Sequence, residues 1–157
     1  MKILLKNATI LDPSSPFHST SQDLLIQNGE IAKISNDIID TDNTKVIEHE
    51  NLHVSKGWFD SGVSFGEPGY EERETLENGL YVAASSGFTK ILLNPDIIPI
   101  PDSNSTISHL FKMGQNKTTS LYPIGALTDK GEGKQLASLY DMHRQGAIGF
   151  GDYKSSL

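Results

Sequence analysis

The sequence predicts an α/β chain in which a small all-β unit precedes a strand–helix repeat, and three observations carry that prediction. Residues 1–56 hold short β-branched and apolar runs separated by turn residues, with no helical period. Residues 57–157 alternate short apolar runs with segments whose apolar side chains recur at helical spacing. Glycine or an Asn/Asp–Pro pair stands at most of the changes of period.

In the first unit, Lys2 to Ile10 predicts a strand, ended by the turn residues Asp12-Pro13-Ser14-Ser15-Pro16. Asp23 to Gln27 is a second strand, and Asn28-Gly29 after it is the strongest short hairpin signal, with Ile31 to Ile34 returning. Asn36 to Thr44 is polar and acidic and predicts a loop; Val46-Ile47 and Leu52-His53-Val54 follow as short strands. His18, His49 and His53 fall on loops or strand ends without a partner pattern, so they read as solvated side chains.

The second unit opens with an extended apolar run from Trp58 to Phe65, broken by Glu67-Pro68-Gly69. Glu71 to Ser86 predicts a helix, with Leu76, Leu80, Ala83 and Ala84 on one face and Glu71, Glu72 and Glu74 at its start, where the helix dipole favours negative charge. Gly87 suits the left-handed stop. Phe88 to Leu93 predicts a strand buried on both faces. A second helix, capped by Asp102 or Ser103, carries Ile107, Leu110, Phe111 and Gly114. Ser120 to Ile124 is the next strand, Leu136, Leu139, Tyr140 and His143 mark a third helix stopped by Gly146, and Ala147 to Phe150 begins a fourth strand.

Alternation of this kind makes βαβ units and a parallel sheet. Periodicity leaves an open doubly wound sheet and a (β/α)8 barrel both standing. In either, function gathers at the carboxyl ends of the strands. The polar side chains expected there are few: Ser64, Glu67, Asn94, Asp96, Thr128, Asp129 and Asp152. Ser64 has no base near it in sequence, Glu67 reads as an organiser of its loop, and His109 and His143 lie inside helices. The glycines around 125–133 lack the spacing of a phosphate loop.

Composition excludes whole classes. The 157 residues contain no cysteine, so disulfides, thiolate metal sites and a cysteine nucleophile are absent. Thirteen Lys+Arg against 20 Asp+Glu give a net charge of −7, the wrong sign for a nucleic-acid binder. No apolar run approaches the length of a membrane span, and Met1 to Lys6 has no signal-peptide core. The expected location is the cytoplasm.

Several stretches, in order along the chain, resemble one family. Asp23 to Ile34 looks like the opening β unit of the amidohydrolase superfamily, and Gly57-Trp58-Phe59-Asp60 with Phe65 to Gly69 resembles its first barrel strand and loop. Glu71-x-x-Glu74-Thr75-Leu76-Glu77-Asn78-Gly79, Pro95 to Pro99, Pro123 to Thr128 and Gly146 to Asp152 resemble the dihydroorotases. The resemblance implies a (β/α)8 barrel: residues 1–56 as a small β-sandwich-like unit, and residues 57–157 as the first three to four βα units. Because a full barrel takes about 250 residues, it also implies the N-terminal portion of a longer protein.

The departures from the family pattern shape the functional expectation. The resemblance places a zinc-gripping His-x-His at the end of the first strand, where this sequence has Gly62 and Ser64. Glycine has no ligand atom, and a neutral hydroxyl is a poor zinc ligand beside imidazole. The substrate-binding Arg and Asn of the family correspond to Gly66 and Asp96, and an aspartate repels a substrate carboxylate. Asp152 matches a metal-ligating aspartate. The expectation is a dihydroorotase-like protein of pyrimidine biosynthesis without zinc or any other cofactor, acting as a structural partner. Aspartate transcarbamoylase or a second copy of the chain are its candidate partners. The alternative is a working zinc-dependent cyclic amidohydrolase, with ligands beyond residue 157.

Overall fold

The computed structural model describes residues 1–39 and 43–154, and the chain divides into two compact units, Met1–Lys56 and Gly57–Leu157. The first is a single mixed sheet of five strands: β1 (Lys2–Leu11), β2 (Ser21–Gln27), β3 (Glu30–Ser35), β4 (Thr44–Glu48) and β5 (His53–Ser55). Its order is β3-β2-β1-β4, with β5 also on β1. The long β1 is antiparallel to β2 and parallel to β4 along Lys2–Lys6, then to β5 along Thr9–Leu11. The Asn28-Gly29 turn joins β2 to β3, both residues at positive φ (54° and 85°), as a two-residue hairpin of the primed kind requires. Ala8, Ile10 and Leu24 form its buried core, with Phe17, Ile34 and Val54 packed against them. The expected loop from Asn36 to Thr44 gives up Thr44 to β4, and its residues 40–42 lie outside the described residues.

The second unit carries four parallel strands, β6 (Trp58–Val63), β7 (Phe88–Leu93), β8 (Ser120–Gly125) and β9 (Gly149–Phe150). Their order in the sheet is their order in sequence. A doubly wound sheet reverses its order at a switch point; this one does not, and it is a curled half-barrel. Helices α1 (Leu76–Ser85), α2 (Asn104–Met113) and α3 (Leu139–Arg144) fill the connections, and a single 3-10 turn spans Asp129–Gly131. Leu76, Leu80, Ile91, Leu93, Ile97, Leu110 and Leu121 form one buried cluster; Ile107, Ala137, Met142 and Ala147 form a second. No helix among the described residues is long and apolar enough to cross a membrane.

Element boundaries moved where side chains capture backbone groups. Helix α1 begins at Leu76 rather than Glu71, because Thr75 is its N-cap and accepts the Asn78 N–H through Oγ1 at 3.2 Å. Residues 70–73 form turns instead, with Tyr70 N–H donating to Gly66 O and Arg73 N–H to Tyr70 O. Helix α3 begins at Leu139, since Leu136 bridges Thr128 and Ala137 N–H donates to Leu127 O. Ala147 closes that helix by donating to Met142 O, which leaves β9 to start at Gly149.

Candidate functional site at the strand ends

The carboxyl ends of β6 to β9 bring together most of the polar residues expected there. Just past β6, Ser64 Oγ accepts from Asn94 Nδ2 at 3.1 Å and donates to Tyr153 Oη at 3.1 Å. This chain ties the ends of β6, β7 and β9 to one another. Gly62 faces the same asparagine: a Cβ built on it would lie 3.4 Å from Asn94 Oδ1, an ordinary contact. The Gly62 N–H donates to Asp60 Oδ1 at 3.0 Å.

Gly66 is buried at φ +103°, and a Cβ there would stand 2.7 Å from the Tyr70 carbonyl oxygen. That backbone region is closed to side-chain-bearing residues, and the contact is too short for any real Cβ. The next residue, Glu67, accepts the Leu76 N–H through its carboxylate, so it anchors the loop to the start of α1. Its role is to organise the loop.

Asp152, after β9, holds the loop that follows β8. Its Oδ1 accepts from Leu127 N–H at 2.9 Å and Thr128 N–H at 3.0 Å, and its Oδ2 accepts from the Thr128 hydroxyl at 2.6 Å. Burial works to raise the Asp152 pKa, but those three hydrogen bonds outweigh it and hold the carboxyl below its ordinary value. A depressed folded pKa stabilises the fold above the ordinary carboxylate pKa, and that contribution is lost as pH falls through the folded value. Asp152→Ala is expected to destabilise the unit by about 1–3 kcal/mol at neutral pH by leaving two backbone donors without an acceptor. The difference between variant and native protein should shrink in urea melts as pH falls below the ordinary carboxylate value and through the lower folded one.

Asp96, after β7, lines a cavity of about 460 Å³ together with Asp152, Arg73 and Tyr70. Its Oδ1 is buried and has no hydrogen-bond partner. Arg73 and Tyr153 were not singled out by sequence reasoning. Arg73 lies in an acidic segment that reads as the start of a helix, and Tyr153 follows the last predicted strand. The remaining histidines of the unit stay apart from this site: His109 is exposed on α2, and His143 Nδ1 lies 3.1 Å from Ala147 O.

A zinc ion fits these residues poorly. Gly62 offers no ligand atom, the Ser64 hydroxyl is engaged by Asn94 and Tyr153, and both Asp152 oxygens are engaged by the β8 loop. Among the described residues no group of three His, Cys, Asp or Glu side chains could hold a metal.

A small β sheet followed along the chain by a parallel half-barrel is a fold shared with solved amidohydrolase structures. The L-hydantoinase (dihydropyrimidinase) of Arthrobacter aurescens superposes with a TM-score of 0.75 at 25% identity, over 94% of this chain and 32% of that one. A dihydroorotase crystal structure shares the fold at a TM-score of 0.62 and 13% identity, over 95% of this chain and 41% of that one. The chain shares the fold of these amidohydrolases. In sequence it is dihydroorotase-like. It is 34% identical to the dihydroorotase of Syntrophus aciditrophicus over 154 residues, covering 97% of this chain and 36% of the relative. It is likewise 34% identical to that of Pelotomaculum thermopropionicum over 152 residues, covering 97% and 35%. The chain thus spans about a third of the length of the curated relatives it matches. No protein-family model matches it.

Proposed function

We propose that this is a dihydroorotase-like protein of pyrimidine biosynthesis that does not hydrolyse dihydroorotate and instead serves as a structural partner, with aspartate transcarbamoylase the candidate enzyme. One observation carries the reading. The two strand-end positions at which the family resemblance calls for zinc-binding imidazoles are Gly62 and Ser64, and Ser64 is bound into a hydrogen-bonded chain with Asn94 and Tyr153. Metal-assisted hydrolysis needs several ligands and an activated water, and a neutral serine engaged on both sides supplies neither. Gly66 supports the same reading, because its backbone excludes the side chain that would hold a substrate carboxylate at that position.

The reading is tested by a dihydroorotate hydrolysis assay with zinc supplied in the buffer. Turnover at the uncatalysed background is the expected result; zinc-dependent turnover above it means that a working cyclic amidohydrolase is the correct reading. The partner is tested by native mass measurement of a mixture with aspartate transcarbamoylase. A species of summed mass is expected, and two independent species remove that partner.

A further inference from the structure

We propose that Asn28 is a site of spontaneous covalent modification, where the Asn28-Gly29 turn converts to aspartyl and isoaspartyl forms while the same dipeptide at Asn78-Gly79 is protected by its helix. The reaction is intramolecular. The Gly29 backbone nitrogen gives its proton to solvent hydroxide and attacks Asn28 Cγ. The Cγ–Nδ2 bond breaks, and Nδ2 takes a proton from water and leaves as ammonia. The product is a five-membered imide that joins the side chain to the main chain. Water then opens the ring at one of its two carbonyls. Cleavage at Cγ gives aspartate; cleavage at the Asn28 main-chain carbonyl gives isoaspartate, with the chain rerouted through Cβ and Cγ. The sum is water in and ammonia out, with no change of oxidation state.

Both Asn–Gly pairs share a nucleophile unhindered by a Cβ, so the backbone around each decides its fate. At the hairpin, Asn28 and Gly29 are exposed, and a Cβ built on Gly29 meets nothing within 4 Å. Among the described residues neither the Asn28 side-chain amide nor the Gly29 N–H has a hydrogen-bond partner. Asn28 stands at φ +54°, a left-handed conformation that turns the Gly29 nitrogen away from the side chain, so reaction awaits an opening of the turn. That opening parts the terminal Gln27–Glu30 pair and the 3.3 Å bond from Asn28 N–H to Met1 O. Strand β3 is at the edge of its sheet with Glu30 to Lys33 exposed, and openings at such a place lie at the low end of the free-energy range. Asn78 is held differently. Gly79 N–H donates to Thr75 O at 2.9 Å, and Asn78 Nδ2 donates to both Glu74 carboxylate oxygens at 3.0 Å. Gly79 is buried against Phe65, whose ring would stand 2.6 Å from a Cβ built there. Freeing its nitrogen means unwinding the start of α1 and drawing Leu76 and Leu80 out of the core. The products matter to the hairpin, because each adds a negative charge at position 28. The isoaspartyl form also lengthens a two-residue loop whose length sets the register of β2 on β3.

The test is peptide mapping of the purified full chain, aged in mildly alkaline buffer and sampled over weeks. Trypsin places the two Asn–Gly pairs in separate peptides, residues 7–33 and 74–90. Conversion is read as the mass gain of NH2 exchanged for OH, and isoaspartate is scored by electron-transfer fragmentation. In the folded protein Asn28 is expected to convert about tenfold or more faster than Asn78, the margin of one additional local opening. The rate should rise with pH, since the attacking nitrogen must lose its proton. In concentrated urea the two pairs should convert at similar rates. Asn28→Asp protein should show no mass gain in the first peptide, which fixes the position without relying on a destabilised variant. Equal rates at Asn28 and Asn78 in the folded protein, or an unconverted Asn28 there, overturn the proposal. A preference for Asn28 that persists in urea overturns it too, because neighbouring sequence and not the fold would then set the difference.

Discussion

Gly66→Arg is expected to destabilise the second unit by about 3 kcal/mol or more and to lower its melting temperature by more than about 10 °C. The substitution introduces the residue type that the family resemblance calls for at this position, so resemblance alone points to a gain of function. Two physical terms oppose it. The backbone at φ +103° lies where only glycine is comfortable, and the new Cβ would sit 2.7 Å from the Tyr70 carbonyl oxygen. That oxygen belongs to backbone and cannot rotate away, and Arg73 N–H donates to it, so relief must unpick the turn of residues 66–73. Gly66→Ala, which carries only the Cβ, should show most of the loss. If both variants melt with the native protein, the loop does not have this conformation.

The largest effect in the first unit is expected at Asp23, whose replacement by alanine should cost about 2–4 kcal/mol. Asp23 is a buried carboxylate at 4% exposure, held by Lys6 Nζ at 2.7 Å, Asn7 N–H at 2.9 Å and Ile38 N–H at 3.0 Å. Removing it takes one acceptor from the Lys6 ammonium, which keeps Ile38 O, and strands two backbone donors, at the bulge between Leu5 and Ala8 where β1 leaves one parallel partner for the next. Asp23→Asn keeps an acceptor and should lose less. Burial pushes the Asp23 pKa up, but its bonds to Lys6, Asn7 and Ile38 outweigh that and hold it below the ordinary value of 3.8. The stabilisation is therefore complete above that ordinary value and lost as pH falls through the folded one. Urea melts followed from neutral pH down through the acid range check both statements; equal midpoints for native and Asp23→Ala proteins at neutral pH would contradict them.

Much of the fold could be read from the sequence because its signals are local. Asn28-Gly29 does form the β2–β3 hairpin, Phe88 to Leu93 is β7 to the residue, and Ser103 caps α2 through its hydroxyl. Where the reading drifted, a side-chain cap or a local bridge had intervened. The acidic run before α1 looked helical, but Thr75 and Glu67 capture the first free N–H groups of the helix later in the chain. Leu136 has helical spacing with Leu139 and Tyr140, yet its bridge to Thr128 keeps it out of α3.

The site was legible as an inventory and not as a geometry. Ser64, Asn94, Asp96 and Asp152 could be named from their places after strands. That Ser64 and Asn94 would close a chain with Tyr153 depends on contacts across 89 and 30 residues, which no local pattern encodes. The place of Arg73 in the cavity lining was hidden for a similar reason. It follows from the missing Cβ at Gly66, seven residues earlier, and from the ring of Tyr70.

The central claim, that these strand ends do not build a catalytic zinc site, is tested most directly by elemental analysis of the purified full-length protein after equilibration with zinc and gel filtration. The account predicts well under one zinc per chain, unchanged when Asp152 is replaced by Ala. One or more tightly held zinc ions per chain, lost in that variant, would contradict it.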